Sequence, residues 1–193
     1  MKLLHIDSSI QADASVSRTL SAAVVERLRN ANPGIEVRYR DLATNPLPHI
    51  DLQSFGTAAA HPVLREFLDA NIVVIGAPMY NFSVASQLKA WIDHIVIAGQ
   101  TFRYGPEGVV GLAGGKRVIV AHSRGGVYSG ESPVAVNEHA ESYLRAIFGF
   151  IGITDPEFIV AEGVALGAEP REAAVSGALD WVHAMDAGAQ AAA

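Results

Sequence analysis

Short apolar runs that alternate with segments of helical periodicity constrain this chain more than any other feature of its sequence. The runs predict strands at 2–7, 71–77, 117–121 and 157–161. A continuous apolar run, such as that at 71–77, is typical of a strand buried on both faces. Residues 35–40 instead alternate between apolar and charged side chains, which indicates a strand at the edge of the sheet.

The segments between these strands predict helices. They lie at 17–31, 62–70, 85–98, 134–149 and 170–188. We interpret 101–115, which holds five glycines, as a loop or hairpin, and 43–60 as a loop. Strands that alternate with helices predict an α/β fold with a parallel sheet and helices on both faces. No repeat or shift in composition divides the chain, so we expect residues 1–193 to form a single domain.

The loop after the first predicted strand has unusual chemistry, because it contains Ser8, Ser9, Ser15 and Ser17 but no glycine. Phosphate groups bind where a strand leads into a helix, since backbone N–H groups and the helix dipole converge there. Hydroxyl groups donate to phosphate oxygens without adding charge. The loop therefore suits a terminal phosphate and favours the strand order 2-1-3-4-5. The alternative is an ordinary polar loop in which Ser17 is the N-cap of the helix.

Two further loops follow the third and fourth of the five predicted strands. Residues 78–82 place two aromatic side chains and an amide directly after a buried strand, a combination that can hold a flat ring. The alternative is hydrophobic packing beneath a loop. Residues 122–126 end in a glycine pair that lets backbone N–H groups approach a ligand, although a plain glycine-rich turn has the same pattern.

The composition excludes several classes of protein. Half of the 193 residues are hydrophobic, which excludes disorder, and the net charge of −6 argues against a nucleic-acid partner. The absence of cysteine suits a cytoplasmic protein, and the seven histidines form no metal-binding motif, so we expect no metal. We also expect no signal peptide and no membrane partner, because no apolar stretch is long enough to span a bilayer.

Five motifs occur in order along the chain. They are Ser8-Ser9-Ile10, Pro78-Met79-Tyr80-Asn81-Phe82, Thr101-Phe102-Arg103-Tyr104, Ser123-Arg124-Gly125-Gly126 and Phe148-Gly149-Phe150-Ile151-Gly152-Ile153. Together they make the chain resemble the FMN-dependent NADH:azoreductases, also described as NADH:quinone oxidoreductases, over residues 2–165. That resemblance implies a flavodoxin-like fold.

The resemblance also implies the functional residues. The positions that match its FMN-binding motifs are Ser9, Ser15, Val16, Ser17, Met79, Tyr80, Asn81, Phe82, Ser123, Arg124, Gly125 and Gly126. Phe102 and Phe150 match aromatic positions on the substrate side of the flavin. The family implies a homodimer with both FMN sites at the subunit interface. It further implies ping-pong, two-electron transfer from NADH or NADPH to quinones or azo dyes, with no side chain acting as a catalytic acid or base.

Some positions depart from the family or leave alternatives open. Residues 51–70 look shorter than the family would have, with a helix reduced or missing, and Tyr128 lies where a residue would shape the mouth of the pocket. Arg103 and Arg124 are candidates for binding the 2′-phosphate of NADPH.

Two other functions compete with the oxidoreductase. One is a non-catalytic, flavodoxin-like electron carrier. The other is a hydrolase, since residues 121–125 nearly match the nucleophile elbow that would carry Ser123, with Asp155 and His183 following in the usual order.

Overall fold

The computed structural model describes residues 1–52 and 61–188. The strands are β1 (Lys2–Asp7), β2 (Glu36–Asp41), β3 (Ile72–Tyr80), β4 (Ser83–Val84), β5 (Phe102–Gly105), β6 (Gly108–Gly111), β7 (Arg117–Arg124) and β8 (Glu157–Glu162). The helices are α1 (Val16–Ala31), α2 (Pro62–Asp69), α3 (Ser86–Ile95), α4 (Ala140–Phe150) and α5 (Ala168–Ala184).

The main sheet has the order β2-β1-β3-β7-β8, and these strands all run parallel. The predicted order 2-1-3-4-5 of the main strands is therefore confirmed. β2 lies at an edge, as its alternating sequence indicates. Helices cover both faces: α1 and α5 enclose one hydrophobic cluster, and α2, α3 and α4 enclose the other. The central strand β3 contributes side chains to both clusters, which explains its uninterrupted apolar sequence.

Two central strands are longer than their apolar runs. β3 continues to Tyr80 and β7 continues to Arg124, so that the polar residues after each run still lie in the ladder. Ser123 pairs with Pro78 on one side, and Arg124 pairs with Glu162 on the other. The polar ends of these strands are consequently held by the same strand pairing as their apolar segments.

Two helices are shorter than predicted because side chains cap them. The helix predicted from 134 begins only at Ala140, after a short 3-10 turn, because the Glu138 carboxylate accepts the N–H groups of Ala140, Glu141 and Ser142. The helix predicted to 98 ends at Ile95, whose carbonyl accepts the Thr101 hydroxyl at 2.7 Å. Capping by residues outside the helical pattern is not visible in periodicity alone.

The segment 101–115 forms the hairpin β5–β6, one of the two predicted alternatives. α2 confirms the predicted short helix near 62–70. The predictions for 43–60 and for the shortened stretch 51–70 fall partly on 53–60, which lies outside the described residues. Within the described ranges, no helix is long and apolar enough to cross a membrane.

Gly76 in β3 allows the closest approach between side chain and backbone in the sheet. A Cβ atom there would lie 2.1 Å from Oδ1 of the buried Asp7 and 3.2 Å from Oγ of Ser21. We expect Gly76→Ala to lower the free energy of unfolding by about 1–3 kcal/mol, the usual range for overpacking, as measured by urea denaturation.

Gly177, in the exposed middle of α5, is a matched control, because a Cβ atom there meets nothing within 4 Å. We expect Gly177→Ala to raise the free energy of unfolding by about 0.5–1 kcal/mol, since alanine favours helix. Equal effects of the two substitutions would contradict the steric role of Gly76.

Candidate functional site

Three loops meet at the carboxyl edge of the sheet, because β1, β3 and β7 are adjacent and parallel. The first two are joined directly. The hydroxyl of Tyr80, at the end of β3, lies 3.1 Å from Oγ of Ser9 and accepts the N–H of Ile10 at 3.2 Å. The edge formed by these loops is where open parallel sheets bind ligands.

The serine-rich loop leads into α1, and Ser15 is the N-cap of this helix rather than Ser17. Ser15 Oγ accepts the N–H of Arg18 at 3.3 Å and lies 3.1 Å from Ser17 Oγ. The first N–H groups of a helix have no intrahelical acceptor. Among the described residues, none accepts the N–H groups of Val16 and Ser17. Hydroxyls and free N–H groups at the positive end of a 16-residue helix form a donor set for one anion.

Arg18 supports this loop but is not a free cation. Its guanidinium donates to the Ser9 carbonyl at 2.8 Å and to both Asp41 oxygens at 2.8 and 2.9 Å, and it lies 3.8 Å from Asp7. The hydrogen bond from Arg18 lowers the pKa of Asp41 to about 2. An anion at the loop would therefore meet mainly neutral donors. A cavity of about 380 Å³ lies beside the loop, lined in part by Ser9, Arg18 and Asp41.

The turn after β3 is strained. Met79 and Tyr80 pair with β4, so Asn81 and Phe82 form a two-residue turn with φ values of 47° and 70°. Two positive values are typical of a type I′ turn, which asparagine tolerates well. Phenylalanine does not, and its side chain is 46% exposed at the tip of the turn. Strain and an exposed aromatic ring together indicate a functional rather than a structural role.

A cavity of about 860 Å³ opens beside this turn. Met79, Tyr80 and Asn81 are the sequence-predicted residues in its wall. The remaining lining residues, which the sequence did not reveal, are Ile10, Ser83, Val84, Ser86, Gln87, Lys89 and Tyr143. Ser86, Gln87 and Lys89 lie on the polar face of α3, where no motif distinguishes a wall residue from a solvated one, and Tyr143 of α4 also packs against the core.

The loop after β7 presents backbone rather than side chains. The carbonyl groups of Gly125 and Gly126 accept the N–H groups of Ala165 and Gly163 at 3.0 and 2.9 Å. Because a trans peptide places its N–H opposite its C=O, the N–H of Gly126 points away from that segment. Among the described residues, none accepts this N–H. The approach of a ligand to the N–H groups of the glycine pair stays a prediction.

The environment of Arg124 does not suit a residue that binds the 2′-phosphate of NADPH, for which the sequence made it a candidate. Its side chain is buried and is occupied by carboxylates: it donates to Glu141 and Glu162 and lies 3.9 Å from Glu138. Burial by itself would raise the pKa of Glu138, but nearby His122, the helix N–H groups and the Arg124 charge lower it to about 2. With its guanidinium committed to this cluster, Arg124 has no free face for a nucleotide phosphate.

Phe102 and Phe150 lie against each other, with ring centroids 4.6 Å apart. They belong to β5 and the end of α4, and neither lines the cavity beside the turn. Their assignment to the substrate side of a flavin stays a prediction. Tyr128, by contrast, does reach the site: its ring packs edge-on against Phe82 at 6.4 Å between centroids.

The geometry of a nucleophile elbow is not present at Ser123. An elbow needs a sharp, strained turn from strand to helix at the serine. Ser123 lies within β7, paired on both sides, and among the described residues the positive-φ positions other than glycine are Ala12, Asn81 and Phe82. The hydrolase alternative thus lacks its central structural requirement.

Residues 1–185 match the family model described as the flavodoxin-like fold. The chain is 59% identical over 204 residues to an FMN-dependent NADH:quinone oxidoreductase of Methylorubrum extorquens, covering 97% of this chain and 100% of that protein. FMN-dependent NADH:quinone oxidoreductase 2 of Bradyrhizobium diazoefficiens is 55% identical over 201 residues, covering 97% of this chain and 100% of that protein. A crystal structure of an azoreductase from Bacillus anthracis superposes with a TM-score of 0.87 at 31% identity, covering 94% of this chain and 96% of that one.

The fold, the order of the strands and the loops at their carboxyl edge define a flavodoxin-like α/β protein. Within that class, the chain belongs to the family of FMN-dependent NADH:quinone oxidoreductases. An FMN-dependent NADH-azoreductase from Bacillus anthracis, crystallised in complex with FMN, also superposes with a TM-score of 0.83 at 26% identity over 95% of this chain and 98% of that one.

The Arg18–Asp41 pair beneath the serine-rich loop predicts a specific pH dependence. A carboxylate whose pKa falls from 3.8 to about 2 on folding stabilises the protein above about pH 4, and that stabilisation disappears as the pH falls towards 2. We expect Asp41→Asn to remove about 1 kcal/mol at neutral pH, allowing for screening of a partly exposed pair. The free energy of unfolding should then fall less steeply between pH 4 and 2.

Asp93→Asn is the control for this measurement. Asp93 pairs with Lys89 on the exposed surface of α3, at 2.7 Å. We expect its removal to leave the pH profile of the unfolding free energy close to that of the unsubstituted protein. A profile for Asp41→Asn that coincides with the Asp93→Asn profile would contradict the role of the Arg18–Asp41 pair.

Proposed function

We propose that this protein is an FMN-dependent NADH:quinone oxidoreductase that also reduces azo compounds. One observation carries the proposal: a free helix N-terminus with serine hydroxyls, a strained aromatic turn and a glycine loop lie at the same edge of the sheet. The identity of 59% to a protein named for this activity supports it.

The residues present fit FMN at both of its ends. The N–H groups of Val16 and Ser17, with the hydroxyls of Ser9, Ser15 and Ser17, would hold the terminal phosphate at the start of α1. The ion pair of Arg18 with Asp41 below fixes the loop while leaving these neutral donors to the phosphate. The serine-rich loop and its cavity are thus the phosphate end of the proposed site.

The other end would take the flavin ring. Met79, Asn81 and Phe82 would lie along it, while the N–H of Gly126 and the amide of Asn81 would orient its polar edge and stabilise negative charge there. Ser123 and Arg124 would contribute by holding the start of the glycine loop in place, since both lie in the β7 ladder. When bound, FMN supplies two-electron chemistry, accepting a hydride from NADH and passing it to the acceptor.

The acceptors we propose are flat, electron-poor rings of the quinone and azo classes, which fit beside an aromatic turn. No side chain need act as an acid or base in this scheme. The residues of the site would orient NADH and the acceptor against one face of the flavin ring and exclude water from it. NADH and the acceptor would use the same face in turn, so the kinetics would be ping-pong.

A homodimer in the cytoplasm completes the proposal. The rim of the carboxyl edge and the β5–β6 hairpin expose large apolar side chains, including Ile10, Phe82, Tyr104 and Val136. Surfaces of this kind commonly mark interfaces between proteins. In a dimer, Phe102 and Phe150 would serve the site of the partner rather than the cavity of their own chain, which accounts for their distance from it. The cysteine-free composition suits the cytoplasm.

Serine substitutions test the phosphate end of the site. We expect Ser17→Ala and Ser9→Ala each to weaken FMN binding about tenfold, because a hydrogen bond to a charged group is lost. Binding of riboflavin, which lacks the phosphate, should hardly change. The dissociation constants are measured by fluorescence titration of the apoprotein, with Ser176→Ala on the exposed side of α5 as the control. Equal losses for FMN and riboflavin would place the phosphate elsewhere.

Steady-state kinetics with NADH and a benzoquinone test the activity. We expect the protein loaded with FMN to give parallel double-reciprocal lines, since one site serves both substrates in turn. Ser123→Ala should retain turnover, because the hydroxyl has no chemical role in this scheme. A protein that binds FMN but shows no turnover would be an electron carrier, and loss of turnover in Ser123→Ala would mean that the hydroxyl takes part in the redox reaction.

A further inference from the structure

Glu162, the last residue of β8, lies outside every sequence motif of the site but makes a dense set of contacts with it. Its carboxylate accepts the N–H of Tyr128 at 2.9 Å and the hydroxyl of Ser129, and Arg124 Nη1 donates to it at 3.4 Å. We call Glu162 with these three donors the carboxylate clamp. The clamp holds both ends of the glycine loop 125–127 from a neighbouring strand.

The Arg124 end of the clamp is fixed within the protein. Arg124 is only 3% exposed, and its other Nη atom donates to Glu141 of α4. Glu141 in turn accepts from Arg145 at 2.7 Å. Carboxylates on two sides of this buried guanidinium fix its orientation, because a rotated side chain would lose both partners and leave a buried charge unpaired.

The backbone of the loop is held by the residues that follow Glu162. The N–H groups of Val164 and Ala165 donate to the carbonyls of Arg124 and Gly125 at 3.2 and 3.0 Å. These bonds fix which way the peptide planes face. The N–H of Gly163 likewise donates to the Gly126 carbonyl at 2.9 Å, and the clamp adds a hold on Tyr128, at the far end of the loop.

That far end carries Tyr128. Its ring lies against Phe82, and a Cβ atom on Gly126 would come within 3.3 Å of it. The ring therefore lies against Gly126, whose N–H points away from the segment 163–165, and also contacts the strained turn after β3. Because Glu162 holds the N–H of Tyr128, it also fixes the position of the glycine loop relative to the turn after β3. Both of these segments would face the flavin ring.

We infer that Glu162 is a positioning residue for the flavin ring, acting through Arg124 and Tyr128 without touching the cofactor. This inference rests on the proposed function. Glu162, on the fifth strand of the sheet, would fix the glycine loop. Arg124 would then help to hold this loop instead of binding a phosphate. One oxygen of Glu162, Oε2, accepts from both Arg124 and Tyr128, and the negative charge strengthens its hydrogen bond to the buried guanidinium.

A matched control lies at the other end of the same two strands. Glu157 begins β8 and pairs with Arg117, which begins β7, at 2.6 and 3.0 Å. Both pairs join β7 to β8 through an arginine and a glutamate, but only one borders the site. A purely structural role for Glu162 would therefore make Glu157→Ala and Glu162→Ala behave alike.

The test compares Glu162→Ala, Glu162→Gln and Glu157→Ala in the full chain. Arg124 keeps Glu141 as a partner in the Glu162 variants, so the fold should persist, and urea denaturation checks this. Amide exchange of the segment 125–129 in the apoprotein reports the clamp directly. FMN affinity and the visible absorption bands of bound FMN report the position of the ring.

We expect Glu162→Ala to speed amide exchange in 125–129, to weaken FMN binding about tenfold or more, and to shift the flavin bands. Glu162→Gln should be intermediate, because one oxygen acceptor remains for Tyr128. Glu157→Ala should change only the unfolding free energy.

Three results would overturn the inference. They are unchanged exchange in Glu162→Ala, faster exchange with unchanged FMN affinity and spectrum, and equal losses in Glu157→Ala. Failure of the unsubstituted protein to bind FMN is a separate result, which would overturn the proposed function and the inference with it.

Discussion

The pairing of β3 with β1 on one side and β7 on the other sets the position of everything at the site. Asp7 pairs with Gly76 across the first boundary, and Ser123 pairs with Pro78 across the second. β3 and β7 continue beyond the level at which β1 ends, so the loop after β1 lies beside the end of β3, where Ser9 Oγ is 3.1 Å from the Tyr80 hydroxyl. Gly76 shows how tightly this arrangement is fitted, since the buried Asp7 carboxylate fills the space of its missing side chain.

The charges near the site lie behind the loops rather than in front of them. Arg18 is paired with Asp41 behind the serine-rich loop, and Arg124 is paired with Glu141 and Glu162 behind the glycine loop. What remains in front is mainly neutral, namely hydroxyls, backbone N–H groups and aromatic rings, with Lys89 as a charged side chain in the wall of the larger cavity. Such a surface binds an anion through the dipoles of its hydroxyl and N–H groups. Because the backbone N–H groups are already fixed in place, they can stabilise developing charge without reorganising during a reaction.

The sequence predicted the strands, their order and the three loops, because each depends on local patterns: apolar runs, helical periodicity, and serines or glycines after a strand. It misplaced the start of α4, since capping by Glu138 leaves no trace in hydrophobic periodicity. It also assigned Arg124 to the wrong kind of partner, because burial depends on α4 and β8 folding over it. Glu162 gave no signal at all, as it is one carboxylate at the end of an unremarkable strand, and only tertiary contacts reveal it.

The most direct measurement is the anaerobic visible spectrum of the protein reconstituted with FMN, recorded after NADH and again after a benzoquinone. We expect flavin to remain with the protein through gel filtration. NADH should bleach the visible absorption band of the bound flavin, and the quinone should restore this band. The two half-reactions would then be separable at one site. A protein that retains no flavin, or a bound flavin whose spectrum NADH leaves unchanged, would contradict the proposed oxidoreductase function.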